Sequence, residues 1–140
     1  EDRVPVLDYS AEGAQTSFSE SEQRIGEGHI VGLRVHDCET EDLLASATDG
    51  AKGALAGLAA LKKEGTVKSV GIGVNDPAFA LRALRSEAGA AIDTVMIAGS
   101  WNLLDHSALE LLCYCQDKGI AVHNAGVFAT GLLVGGSTVR

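Results

Sequence analysis

The stretch Ile30-Val31-Gly32-Leu33-Arg34-Val35-His36-Asp37-Cys38 decides how this chain is read. A short, mostly apolar run stops at His-Asp and passes into an acidic segment, Asp37 to Asp42. A buried parallel strand looks like this when it delivers a histidine to a solvent-facing rim. Alternation puts Ile30, Gly32, Arg34 and His36 on one face, and Val31, Leu33 and Val35 on the other. The aliphatic face is expected to meet helices, and the His36 face to look toward the chemistry. Alone, His36 reads as a polar strand terminus. It gains weight because the same event recurs three more times.

On the N-terminal side, Val4-Pro5-Val6-Leu7 reads as a short extended piece. Ser10 or Asp8 then caps a helix from Ala11 to Ile25, whose thin apolar stripe is Ala14, Phe18 and Ile25, with Gly26 as its stop. On the C-terminal side, Leu43 to Ala47 reads as a helical turn. Thr48 or Asp49 starts a better helix, Ala51 to Lys63, with Ala54, Leu55, Leu58 and Leu61 toward the core. Lys62 and Lys63 in its last turn suit the negative end of the helix dipole. A strand from Val67 to Val74 ends in Asn75-Asp76, and Pro77 at the first helical position opens a helix to Ser86. A strand from Ala91 to Ala98 ends in Gly99-Ser100-Trp101-Asn102. The helix Ser107 to Asp117 follows, carrying Leu109, Leu111, Leu112 and Tyr114. Ile120 to Val122 is the last strand, ending in His123-Asn124-Ala125-Gly126. The tail from Val127 is a loop with one apolar turn, Gly131 to Val134.

Strand and helix therefore alternate four times, which predicts parallel strands with helices outside them. Polar groups gathered at the carboxyl ends of such strands mark the active face of a (β/α)8 barrel or the crevice of an open sheet. Gly71-Ile72-Gly73 lacks the third glycine of a dinucleotide fingerprint, and no long pause interrupts the run as a switch point would. Both points favour the barrel. A whole barrel takes about 250 residues, so these 140 residues are expected to form one domain, residues 1–140, holding about half of one.

Composition narrows the partners. Hydrophobic residues at 46% and charged residues at 21% describe a globular chain, not a disordered one. A net charge of −8 with no basic cluster argues against nucleic acid. No apolar run approaches the roughly 20 residues of a membrane span. Cys38, Cys113 and Cys115 are read as reduced thiols of a cytoplasmic protein, because Cys113-Tyr114-Cys115 has neither zinc nor redox spacing.

Several stretches, in this order and spacing, resemble the aldo-keto reductase superfamily. They are Asp8-Tyr9-Ser10, Ser17-Phe18 to Arg24-Ile25-Gly26, Val35-His36-Asp37, and Glu64-Gly65-Thr66-Val67-Lys68-Ser69-Val70-Gly71-Ile72-Gly73-Val74-Asn75. Trp101-Asn102-Leu103-Leu104-Asp105 and Gly126-Val127-Phe128-Ala129-Thr130-Gly131-Leu132-Leu133 extend the match. Within it the chain is most similar to the sugar-oxidising branch, which includes D-threo-aldose, L-fucose and L-galactose dehydrogenases. The resemblance implies a barrel enzyme moving a hydride between NAD(P) and a sugar or other small carbonyl compound. It implies that the chain runs from the third helix to just past the seventh strand. His36 would be the histidine of the Asp-Tyr-Lys-His tetrad, whose other three members have no counterpart in these residues. Asn75 would contact the nicotinamide carboxamide, and Phe128, Thr130, Gly131 and Leu132 would border the cofactor pyrophosphate. Tyr9 falls too late to be the tetrad tyrosine and, with Trp101, would line the substrate side. The glutamine of the carboxamide site falls on Ala98, and the aromatic under the nicotinamide near Ala125.

Each residue also has a plainer reading: Asn75 as a turn residue, Trp101 as a packing anchor, Tyr9 beside a helix cap, the tail as an ordinary loop. A half barrel is expected to lack activity by itself and to self-associate through unpaired strand edges. Two other functions stand open. One is a non-enzymatic, reductase-like subunit or pseudoenzyme. The other is a metal-dependent barrel hydrolase using His36, Asp37, Asp76 and His123, although no metal-ligand spacing supports it.

Overall fold

The computed structural model describes residues 6–26 and 28–135. Four strands, β1 (Gly32–His36), β2 (Ser69–Val74), β3 (Thr94–Ala98) and β4 (Ala121–Ala125), form one parallel sheet in the order β1-β2-β3-β4. Every crossover therefore steps one strand in the same direction. Right-handed crossovers of that kind leave all the helices on one face, as in a segment of a (β/α)8 barrel, whereas an open doubly wound sheet reverses direction at its switch point.

The helices are α1 (Ala11–Ile25), α2 (Glu41–Ala47), α3 (Ala54–Lys63), α4 (Pro77–Arg85) and α5 (Leu109–Lys118), with short 3-10 turns at Glu87–Ala91 and Ala129–Val134. The core lies between the sheet and these helices. Val35, Val70, Ile72, Val74, Val95 and Ile97 of the strands are buried together with Leu55, Leu58 and Leu61 of α3, Leu81 and Leu84 of α4 and Leu111 of α5. Ser10, one of the two caps the sequence offers, caps α1 through its hydroxyl, and Asp76 caps α4 with Pro77 behind it as its sequence predicts. On α1 only Phe18 is buried, so the thin stripe is real, while Ile25 stays exposed.

Several expectations shift. α3 begins at Ala54 and not Ala51, because Lys52 O and Ala54 N pair with Ala11 N and Tyr9 O across an antiparallel bridge between Ser10 and Gly53. Those backbone groups are then unavailable to an earlier helical turn. α5 begins at Leu109, since Asn102 Oδ1 accepts from Leu104 N and Asp105 N and folds the preceding loop into turns. Its Leu109 consequently faces solvent. Val31 precedes β1 and is 56% exposed rather than packed on helices. β4 continues through His123 and Asn124, since all five of its residues pair with Thr94–Ala98. Backbone pairing sets its length there, not side-chain polarity. Of the extended piece expected at Val4 to Leu7, Val4 and Pro5 lie outside the described residues, as does the tail beyond Gly135.

Candidate active site

Parallel register places His36, Gly73, Met96 and His123 in one row across the sheet, on the face away from the helices. Arg34, Gly71, Thr94 and Ala121 form the row before it. The two glycines of β2 open this face. A Cβ at Gly73 would sit 2.8 Å from His36 Cδ2, and one at Gly71 would sit 3.1 Å from Arg34 Cγ. Side chains of β1 thus lean over the bare backbone of β2. Arg34 crosses far enough for its Nη2 to donate to His123 Nδ1 at 2.7 Å, so its guanidinium serves β4 and not His36. Because a guanidinium only donates, His123 carries its ring proton on Nε2.

His36 has a holder of its own. The residue after it, Asp37, turns into the left-handed region (φ 53), and its Oδ1 comes back to within 3.0 Å of His36 Nδ1. A non-glycine residue in that region stores local strain, and such strain concentrates at functional sites. The carboxylate accepts from Nδ1–H and leaves Nε2 as the ring atom open to an incoming group. Tyr9 fastens the other side of this strand end. Its hydroxyl donates to the His36 carbonyl at 2.7 Å. Burial, with Cys38 and Asp37 close by, pushes the Tyr9 phenol above its ordinary value, so it remains a donor across the neutral range.

The next rim residue, Asn75, is held from both neighbouring loops. Glu39 Oε1 accepts from Asn75 N at 2.8 Å and from Asp76 N at 2.5 Å, and Glu39 Oε2 accepts from Asn75 Nδ2 at 2.8 Å. The buried Ser100 hydroxyl donates to the Asn75 carbonyl. Among the described residues, Asn75 Oδ1 and its second amide proton have no protein partner. Trp101 is half-buried against the core, with its ring 5.0 Å from that of His106, and its carbonyl accepts from Asn124 Nδ2 at 2.8 Å. Phe128 and Leu132 are 60% and 54% exposed. Thr130 and Gly131 between them both have positive φ.

The fold therefore sets His36 and Asn75 on adjacent strand ends, with Tyr9 behind His36, Trp101 on the third loop and the Phe128–Leu132 turn beyond the fourth strand. Glu39 and Ser100 were not singled out as site residues from the sequence, and Asp37 only as a possible metal ligand. Their only signal is position, within a few residues of a strand end. Among the described residues no three His, Cys, Asp or Glu side chains gather as for a metal ion. Of the four ligands considered for one, Asp76 accepts from Ala78 N to cap α4, and His123 Nδ1 faces Arg34.

Residues 2–139 match the model of the Aldo/keto reductase family. The chain is 36% identical over 128 residues to D-threo-aldose 1-dehydrogenase of Pseudomonas sp, covering 90% of this chain and 36% of that protein. It is 36% identical over 136 residues to pyridoxal 4-dehydrogenase of Microbacterium luteolum (91% and 38% covered). Against L-galactose dehydrogenase of Arabidopsis thaliana it is 31% identical over 130 residues (91% and 39%). A solved aldo-keto reductase from Bacillus halodurans superposes with a TM-score of 0.74 at 24% identity, over 96% of this chain and 42% of that one, which bears on the fold alone. The chain thus spans well under half the length of these relatives. With four sequential β/α units and a match over nearly all its residues, this chain belongs to the aldo/keto reductase family.

Proposed function

We propose that the chain carries the substrate-oxygen site and the carboxamide side of the nicotinamide site of an NAD(P)-dependent oxidoreductase acting on a sugar. The single observation that carries this is His36, fixed through Nδ1 by Asp37 so that Nε2 is left open, on the strand beside Asn75. When bound, the nicotinamide supplies or accepts the hydride. His36 Nε2 holds the substrate oxygen: it donates to a carbonyl when the ring carries both protons and accepts from a sugar hydroxyl when it carries one. Asp37 orients the ring and offsets positive charge on it. Asn75 suits a carboxamide because an amide oxygen and an N–H are left at its tip. Tyr9 and Trp101 flank the sugar. Phe128, Thr130, Gly131 and Leu132 border the pyrophosphate, a role supported by the left-handed backbone at Thr130 and Gly131.

A sugar is preferred over pyridoxal because two of the three relatives named above are dehydrogenases of aldoses. The rest of the tetrad is not among these residues, so we expect the 140 residues alone to be inactive and to self-associate through the open edges of β1 and β4. No helix among the described residues is long and apolar enough to cross a membrane, and we place the protein in the cytoplasm with its thiols reduced. The test is to incubate the protein at its natural length with NAD or NADP and a panel of aldoses beside pyridoxal, following absorbance of the reduced cofactor. Sugar-dependent reduction of either form supports the reading, and turnover of pyridoxal alone contradicts it.

A further inference from the structure

Glu39 is not a member of the tetrad, nor a residue to which the resemblance gives a role. Yet its carboxylate takes three hydrogen bonds from two consecutive residues: Asn75 N, Asn75 Nδ2 and Asp76 N. Two of the donors are main-chain groups at the end of β2, and the third is the side-chain amide of the rim asparagine. An ionised carboxylate can only accept, so the Asn75 amide must turn its NH2 toward Glu39. Its oxygen is thereby directed away from Glu39. Ser100 occupies the remaining main-chain group of Asn75, its carbonyl. Backbone and side chain of Asn75 are thus committed except for Oδ1 and one proton. Glu39 decides which end of the amide is offered.

We propose that Glu39 is a positioning residue: it locks the Asn75 amide with its oxygen outward, so that Asn75 accepts from the NH2 of an incoming carboxamide. This rests on the reading of Asn75 given above. The device works without motion at the moment of binding, because charge-assisted bonds to two main-chain N–H groups hold the carboxylate itself in place. Without Glu39 the amide is free to rotate end for end, and half of its orientations offer an NH2 where an acceptor is wanted.

The experiment has two readouts on the protein at its natural length. The first is the side-chain amide resonance of Asn75 in 15N-labelled protein, for the parent, Glu39→Gln and Glu39→Ala. The second is the dissociation constant of NADH and NADPH by fluorescence, for the same variants and Asn75→Ala. We expect both Glu39 variants to move the Asn75 amide resonances toward those of a solvent-exposed asparagine. Glu39→Ala should weaken the cofactor about tenfold, the worth of one well-made hydrogen bond, and Glu39→Gln should recover part of that loss. Glu39→Gln keeps the side chain's shape, so the test survives if Glu39→Ala fails to fold. Unmoved Asn75 resonances overturn the proposal whatever the cofactor does. Moved resonances with unchanged affinity overturn it too. In that case a loss of binding in Asn75→Ala would leave the reading of Asn75 standing, and no loss would remove both.

Discussion

Two glycines of β2, two residues apart on one face, should respond in opposite ways to the same added methyl group. At Gly73 a Cβ would lie 2.8 Å from His36 Cδ2, a contact that relaxes only if the ring withdraws by at least about 0.6 Å to reach ordinary contact near 3.4 Å. His36 is exposed, with a side chain 64% accessible, so the ring can swing aside at a cost of about 0.5–1.5 kcal/mol. Alanine returns roughly 0.4–1 kcal/mol by restricting the unfolded chain. Gly73→Ala should therefore leave stability within about 1 kcal/mol of the parent. Its effect falls on position: in the role proposed for His36, a displacement of ~1 Å lowers turnover by up to about 100-fold. At Gly71 the added Cβ meets Thr94 O at 2.7 Å as well as Thr94 Oγ1, and main chain in the middle of a sheet cannot swing away. Gly71→Ala should lose about 1–3 kcal/mol. Urea unfolding separates the two variants in stability, and initial rates with the His36 ring resonances separate them in function. Parental turnover and unmoved His36 resonances in Gly73→Ala would refute the claim that the bare backbone of β2 makes room for the imidazole.

The pair Lys62–Asp93 joins α3 to the start of β3, with Nζ–O distances of 2.6 and 2.7 Å, and Asp93 also accepts from Val70 N at 2.9 Å. Burial pushes the Asp93 carboxyl up, but Lys62 and the Val70 N–H outweigh it and hold it below the ordinary value. A depressed pKa adds stability that is complete above about pH 4 and fades as pH falls through the lower folded value. Asp93→Asn should cost about 1 kcal/mol at pH 7, limited by solvent screening of a pair more than a third exposed, and less below pH 4 by urea titration. Of the three cysteines, burial pushes Cys38 up to about 11 and raises Cys115, while Cys113 lies exposed on α5. A chromogenic disulfide at neutral pH should titrate one thiol in the native protein and three after denaturation. Leu111→Ala empties a fully buried site and should cost about 2–5 kcal/mol. Leu109→Ala, on the same helix but 55% exposed, should stay within about 0.5 kcal/mol in the same assay.

The order of β/α units was legible because each strand is a short apolar run closed by small or polar residues, and each helix carries a local start or stop. The starts of α1 and α4, at Ala11 and Pro77, were legible to the residue, since a cap is a local interaction between near neighbours. The start of α3 was not legible, because it answers to Tyr9 and Ala11, some forty residues away. The same holds within the site. His36 and Asn75 stood out as polar residues at strand ends. Glu39, however, is one of several carboxylates in an acidic loop, and only the pairing of β1 with β2 brings it to Asn75. Arg34 shared a face with His36 in the sequence pattern, yet its partner is three strands away.

In the function proposed above, His36 holds the reacting oxygen. The direct measurement is kcat and the cofactor dissociation constant of His36→Ala in the protein at its natural length, with the substrate that the proposed panel of aldoses identifies. We expect kcat to fall by about 100-fold or more, while NAD(P)H binds within about twofold of the parent. Undiminished kcat in that variant would contradict that role for His36.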